Sequence, residues 1–127
     1  MKLLKQLSTI LLILLTASCV QQTQPKTIIV KLDMTEIKNH SKVGIRGNYP
    51  LSWDETTFLS DEDNNGIYEE TFEIYTANST IEFKFVNNDS EFELQDQNNR
   101  SITFDYKPET IIYEAVFNNP EEKITKN

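Results

Sequence analysis

Thr80-Ile81-Glu82-Phe83-Lys84-Phe85-Val86 is the stretch that decides the fold, because Ile81, Phe83 and Phe85 share one side and Glu82 and Lys84 the other. Strict alternation of this kind predicts a strand with one face in a core and one in water. Upstream, Ala77-Asn78-Ser79 is a turn, and Ile67 to Tyr75 is a second strand that offers Tyr68, Phe72 and Ile74 to the same core. Asp61-Glu62-Asp63-Asn64-Asn65-Gly66 before it is a strong turn signal. Thr56 to Leu59 reads as a short extended piece with Phe58 or Leu59 inward, and Lys42 to Arg46 as a strand with Val43 and Ile45 inward. Thr27 to Met34 alternates Ile28, Val30, Leu32 and Met34 onto one face. Downstream, Glu91 to Gln95, Ser101 to Phe104 and Thr110 to Phe117 repeat the pattern between Asn- and Asp-rich turns. No stretch carries a helical period over three turns. Short alternating segments at this spacing predict an all-β chain, an antiparallel β-sandwich of seven to eight short strands.

The first residues follow a different logic. Lys2 and Lys5 precede an apolar run, Leu7 to Leu15, that is too short to span about 30 Å of hydrocarbon. Thr16-Ala17-Ser18 then places small residues before Cys19, the only cysteine. This is a signal-peptide pattern, and it resembles the leader of bacterial lipoproteins, in which such a cysteine is acylated and becomes the mature N-terminus. The resemblance implies residues 1–18 as signal peptide, lipidation at Cys19, and a membrane anchor in the bacterial cell envelope. Val20 rather than Asp after Cys19 implies the outer membrane. The other reading is an ordinary secretory signal that leaves Cys19 as an odd thiol, and acylation accounts for that thiol better. Residues 19–26 then read as a polar tether, 27–118 as the sandwich and 119–127 as a charged tail. Two of the 12 lysines and arginines lie in the leader and none of the 20 acids does, so the rest of the chain carries 10 basic against 20 acidic side chains, a balance of −10. Nucleic acid and anionic headgroups are poor partners for such a surface.

Val43 to Trp53, V-G-I-R-G-N-Y-P-L-S-W, runs from a strand into a loop that ends on the only tryptophan. From Lys42 to Asp105 the order of landmarks resembles family-20 starch-binding modules and the related glycogen-binding modules. The matching pieces are Gly47-Asn48…Trp53-Asp54, Gly66-Ile67-Tyr68-Glu69, Glu82-Phe83-Lys84-Phe85-Val86 and Asn99-Arg100-Ser101-Ile102. The resemblance implies an Ig-like sandwich that binds an α-glucan or another neutral polysaccharide without catalysis or cofactor. Carried over by position, Trp53 is the first of two stacking tryptophans, Lys84 the site lysine, and Asn99-Arg100 the Asn-Arg pair. The pattern breaks where the second tryptophan would stand, which is Leu94, and Gln95 replaces the acid beside it.

Trp53 either stacks on a ligand or plugs one end of the core, and Pro50 and Asp54 around it favour an exposed loop. Tyr49 is a second candidate platform, although structural packing accounts for it more readily. Gln95 and Asn99 offer hydrogen bonds to sugar hydroxyls, although a turn explains an asparagine equally well. A ring face of roughly 60–80 Å² at about 25 cal/mol/Å² contributes about 1.5–2 kcal/mol, so losing one of two platforms weakens binding by roughly 10–30-fold. The alternative function follows from that loss: an envelope lipoprotein that binds a protein partner through a sandwich whose sugar site is gone. Asp61, Asp63 and Asn65 match the start of a calcium loop, but Phe72 occupies the place of the closing glutamate, and no metal is expected. Nucleophile elbows, zinc motifs and phosphate loops are all missing from the sequence, which predicts no catalytic residue and no enzyme.

Overall fold

The computed structural model describes residues 22–127, so the leader, Cys19, Val20 and Gln21 lie outside the described residues. Nine strands follow in order: β1 (Gln24–Asp33), β2 (Gly44–Gly47), β3 (Thr57–Phe58), β4 (Ile67–Thr76), β5 (Thr80–Asn87), β6 (Glu91–Phe92), β7 (Arg100–Thr103), β8 (Glu109–Val116) and β9 (Glu122–Lys126). They form two sheets. One has the order β4-β1-β8-β9, and the other β3-β2-β5-β6 with β7 also paired to β5. The all-β sandwich is the expected class, with one more strand than expected and one parallel pair, β1 with β8.

The alternation that predicted each strand also builds the core between the sheets. Ile28, Val30 and Leu32 of β1 and Ile111 and Tyr113 of β8 face Ile45, Ile81, Phe83, Phe85 and Ile102 of the other sheet, all buried in one cluster. Tyr113 joins the layers, packing edge-on against Phe83 with ring centroids 5.1 Å apart. Such aromatic contacts add about 0.5–1.5 kcal/mol beyond area burial. Of the pair left open by the sequence, Leu59 turns inward and Phe58 stays exposed.

Three segments depart from expectation, and two buried ion pairs explain two of them. The polar tether was expected to run to Lys26, but β1 already begins at Gln24 and Lys26 is buried. Its ammonium donates to the carbonyls of Asp105 (2.6 Å) and Lys107 (2.5 Å) and to Glu109 Oε2 (2.9 Å). All three donors are therefore satisfied, which is what permits a lysine inside. Glu91 to Gln95 was expected as one strand, but β6 stops at Phe92 because Glu93 turns in. Its carboxylate is fully buried and holds Arg100 through Oε2–Nε (2.6 Å) and Oε1–Nη2 (2.8 Å). The third departure is β9, which lies in the stretch expected as a charged tail. Every residue of it is exposed, so no apolar period marks it, and backbone pairing with β8 holds it.

Candidate functional site

Of the sequence-predicted residues, the outer face of the second sheet carries Lys84 and, by register, Asn99, while Trp53 and Tyr49 lie in the loop after β2 and Gln95 in the turn after β6. Outward alternation on β2 and β5 puts Arg46 directly beside Lys84. Continuing the β5–β7 register one step past Phe83–Arg100 brings Asn99 to the other side of Lys84. The three positions span two strand spacings, about 4.8 Å each.

β2 ends at Gly47, where nothing larger fits: a Cβ there would lie 2.4 Å from the Glu82 carbonyl oxygen and 2.7 Å from Phe83 Cβ. The chain then leaves the sheet as the 48–56 loop, which is over-determined by its own bonds. Gly47 N donates to Ser52 O (3.2 Å), Leu51 N to Asn48 O (2.9 Å), and Asp54 N to Ser52 Oγ (3.1 Å). Leu51 packs against the core. Trp53 Nε1 donates to Asn48 Oδ1 (2.8 Å), so the indole is fixed from within its own loop while 36% of the residue remains exposed.

Arg46, which the sequence reading did not single out, is the clamp beneath this loop. Its guanidinium donates to Thr56 Oγ1 (2.8 Å), the Trp53 carbonyl (3.2 Å) and the Asp89 carbonyl (3.0 Å). It also lies over the Phe92 ring, 5.5 Å from the centroid. The sequence signal reached only its direction: with Val43 and Ile45 inward Arg46 points outward, and the β2–β5 register then sets it beside Lys84.

Lys84 does not stand free in solvent, as its alternation suggested. It is half-buried, and Nζ donates to the carbonyls of Leu94 (2.9 Å) and Gln97 (3.1 Å). It therefore staples the 94–97 turn to the sheet. Leu94, at the place of the missing second tryptophan, is buried and has a φ of +47°, and its N–H donates to Asn118 Oδ1. No ring could stack outward from that position. Gln95 and Asn99 are both exposed, on the turn and at its exit. Asn99 also lines a polar groove of about 490 Å³ with Gln97, Asn98 and Pro120, which Trp53 and Tyr49 do not line. Tyr49 lies in the same loop as Trp53 and is 69% exposed.

Arg100 is excluded from the face altogether. Besides Glu93 it donates to the carbonyls of Val116 (3.2 Å) and Asn119 (2.6 Å) and to the Tyr113 hydroxyl (3.4 Å). Burial works against its charge, but Glu93 and then Tyr113 outweigh it and raise the guanidinium above its ordinary value. The Tyr113 hydroxyl, itself raised by burial and by its bond to Glu122, extends the network to β9.

The acidic hexapeptide has a local explanation. Asp61 Oδ1 accepts from Asn65 N (3.0 Å) and Oδ2 from Gly66 N (2.8 Å), and Gly66 takes the positive φ, +86°, that the turn needs. Among the described residues no group of three or more His, Cys, Asp or Glu side chains could hold a metal ion. His40, the only histidine, packs against Tyr68, with Nδ1 2.8 Å from the hydroxyl.

The structure therefore presents one fixed indole in the 48–56 loop and, separately, the amides of Gln95 and Asn99 around the 94–97 turn, with Arg46 and Lys84 already bonded to protein carbonyls. No protein-family model matches the sequence, and no curated protein matches it. Similar solved structures include two modules of a beta/alpha-amylase of Paenibacillus polymyxa. Its CBM25-1 is 15% identical, over 81% of this chain and 93% of that one, with a TM-score of 0.44. Its CBM25-2 is 14% identical, over 82% and 94%, with a TM-score of 0.47. Both likenesses are distant, and the sandwich is defined by its own strand pairing.

Proposed function

We propose that this chain is a lipid-anchored protein of the bacterial outer membrane that binds a neutral polysaccharide of the α-glucan class, without acting on it chemically. In this reading residues 1–18 are removed and Cys19 carries the lipid. Trp53 stacks on a sugar ring, Tyr49 borders the platform, and Gln95 and Asn99 bond hydroxyls. Lys84 contributes by holding the turn that carries Gln95, since its own ammonium is committed to carbonyls.

The observation that carries the proposal is the pre-set indole. An exposed tryptophan whose loop is pinned by Arg46, Asn48 and Ser52 loses little freedom when a ligand covers it. The chemistry fits a neutral ligand, because the apolar C–H face of a sugar matches the ring while its hydroxyls keep hydrogen bonds. With 36% of the residue exposed, and about 250 Å² for a large aromatic side chain, some 90 Å² are available to a ligand. At about 25 cal/mol/Å² that is about 2 kcal/mol, half of the roughly 4 kcal/mol net that millimolar binding requires, so hydrogen bonds from Gln95 and Asn99 must supply the rest and cover the cost of association. Calorimetry of the full chain against malto-oligosaccharides and glycogen tests this. Weak heat that Trp53→Ala abolishes supports the proposal, and no heat with any glycan at millimolar concentration refutes it.

A second reading, in which the sandwich serves a protein partner, is favoured by one observation. Leu94 is buried, so the second wall of a sugar site is closed by the fold itself. A stoichiometric protein that co-purifies from solubilised membranes and resists added glucan would favour that reading.

A further inference from the structure

We propose that one end of the sandwich, marked by Tyr75 and Tyr106, is a membrane-facing base that rests in the interfacial region of the bilayer. This inference rests on the lipid anchor at Cys19 proposed above. The end is defined by the strand register: Gln24 pairs with Thr76, Thr80 with Thr103, and Lys26 with Glu109.

Three observations converge there. The first is reach. The Tyr106 hydroxyl donates to the Gln22 carbonyl (2.8 Å), so the chain is tied to the domain by Gln22, only three residues after Cys19. Three residues extend at most about 10–11 Å, so an acylated Cys19 must hold this end close to the headgroups. Lys26, locked to Glu109 and two carbonyls, leaves no slack behind that point.

The second is side-chain chemistry. Tyr75, which pairs with Pro25, is 72% exposed and Tyr106 is 58% exposed, flanking the chain's entry on both sides. Tyrosine pairs an apolar ring with a polar tip, and it concentrates at membrane–water interfaces for that reason.

The third is charge. Segments 22–26, 75–80 and 103–109 together with Lys126 hold three lysines (Lys26, Lys107, Lys126) against Asp105 and Glu109, a side-chain balance of +1 in a sequence of net −8. Without the net negative charge of the sequence as a whole, the base is not repelled by a phospholipid surface.

The test uses acylated full-length chain reconstituted into phosphatidylcholine vesicles with brominated acyl chains, which quench tryptophan near the bilayer. In a Trp53→Phe background, Tyr75→Trp reports the base. Phe58→Trp reports the far end, because Phe58 aligns through Gly44 with Val86, six residues or about 20 Å up β5 from Thr80. Mass analysis of the N-terminal peptide establishes acylation, and thermal melts establish folding of both variants. The inference expects at least about twofold loss of emission for Tyr75→Trp, at interfacial depth, with Phe58→Trp unchanged. An acylated chain in which both tryptophans keep their emission overturns the inference and leaves the anchor standing. Concentration-dependent shielding of Tyr75→Trp without vesicles also overturns it, in favour of a contact between two copies of the chain. An unmodified Cys19 overturns both the inference and the anchor.

Discussion

Arg100→Ala should be among the most damaging single substitutions in the sandwich, although the residue was first met as part of a candidate surface pair. Its guanidinium makes five bonds, two to Glu93, two to the Val116 and Asn119 carbonyls and one to Tyr113. Removing it strands the fully buried Glu93 carboxylate with only the N–H groups of Phe85 (3.0 Å) and Asn118 (3.2 Å). Removing one partner of a buried pair costs about 3–5 kcal/mol, a large part of the roughly 5–15 kcal/mol that a domain of this size has. At about 4–8 °C per kcal/mol for a domain near 100 residues, the melting temperature should fall by tens of degrees. Glu93→Gln strands the opposite charge and should cost about 2–4 kcal/mol, the Val116 and Asn119 carbonyls softening the loss. The double variant Glu93→Gln/Arg100→Ala leaves no buried charge in this network. It should be less destabilised than the sum of the single changes by about 2–3 kcal/mol. Urea and thermal unfolding of the four proteins, followed by circular dichroism, measures the cycle. Single variants that each cost less than about 1 kcal/mol, the level of an exposed pair, or strictly additive effects, would refute this account of the network.

Acid should weaken the domain through Glu109. Burial works to raise its carboxyl, but the bonds from Lys26 and the Asp105 N–H, with Lys126 nearby, outweigh it and hold the group below its ordinary 4.5. A depressed folded value gives stability that is present above 4.5 and lost as pH falls through the folded value. Glu109→Gln should therefore flatten the acid limb of a stability–pH curve while lowering the neutral plateau, and an unchanged acid limb would count against the pair. Lys84→Met should cost about 1.5–3 kcal/mol for its two charge-assisted bonds and speed amide exchange in residues 94–97, with little change in β1 or β8. Gly47→Ala should destabilise by about 3 kcal/mol or more, because the added carbon meets backbone that cannot move aside. Denaturant melts decide the last two.

The sandwich was legible wherever one face of a strand is apolar. β1, β4, β5 and β8 announced themselves by period two, because burial on one side and solvent on the other impose it. β9 did not, since both its faces are wet and only its ladder to β8 holds it. The ion pairs escaped for another reason. Lys26 meets Glu109 across 83 residues, and no local pattern reports so distant a partner for a charge. Glu93 and Arg100 are only 7 residues apart, yet alternation placed Glu93 outward between Phe92 and Leu94, and Arg100 looked like a surface residue beside Asn99. The exposure of Trp53 could be anticipated from Pro50 and Asp54, whereas that of Tyr49 could not, since an aromatic side chain next to a proline reads more readily as packed. The Arg46 clamp needed the register between β2 and β5, and the commitment of Lys84 to two carbonyls needed the path of the 94–97 turn.

Trp53 is the only tryptophan in the chain, so its own fluorescence reports the proposed platform directly. The decisive measurement is a titration of the full-length protein with maltoheptaose, following that emission, with glycerol at matched viscosity as the control. The account predicts a saturable shift with a midpoint near the millimolar range, where one stacked ring and the hydrogen bonds of Gln95 and Asn99 each supply about half of roughly 4 kcal/mol, and loss of the saturable shift when Asn48→Ala frees the indole. A flat response through the highest attainable glucan concentration would contradict it.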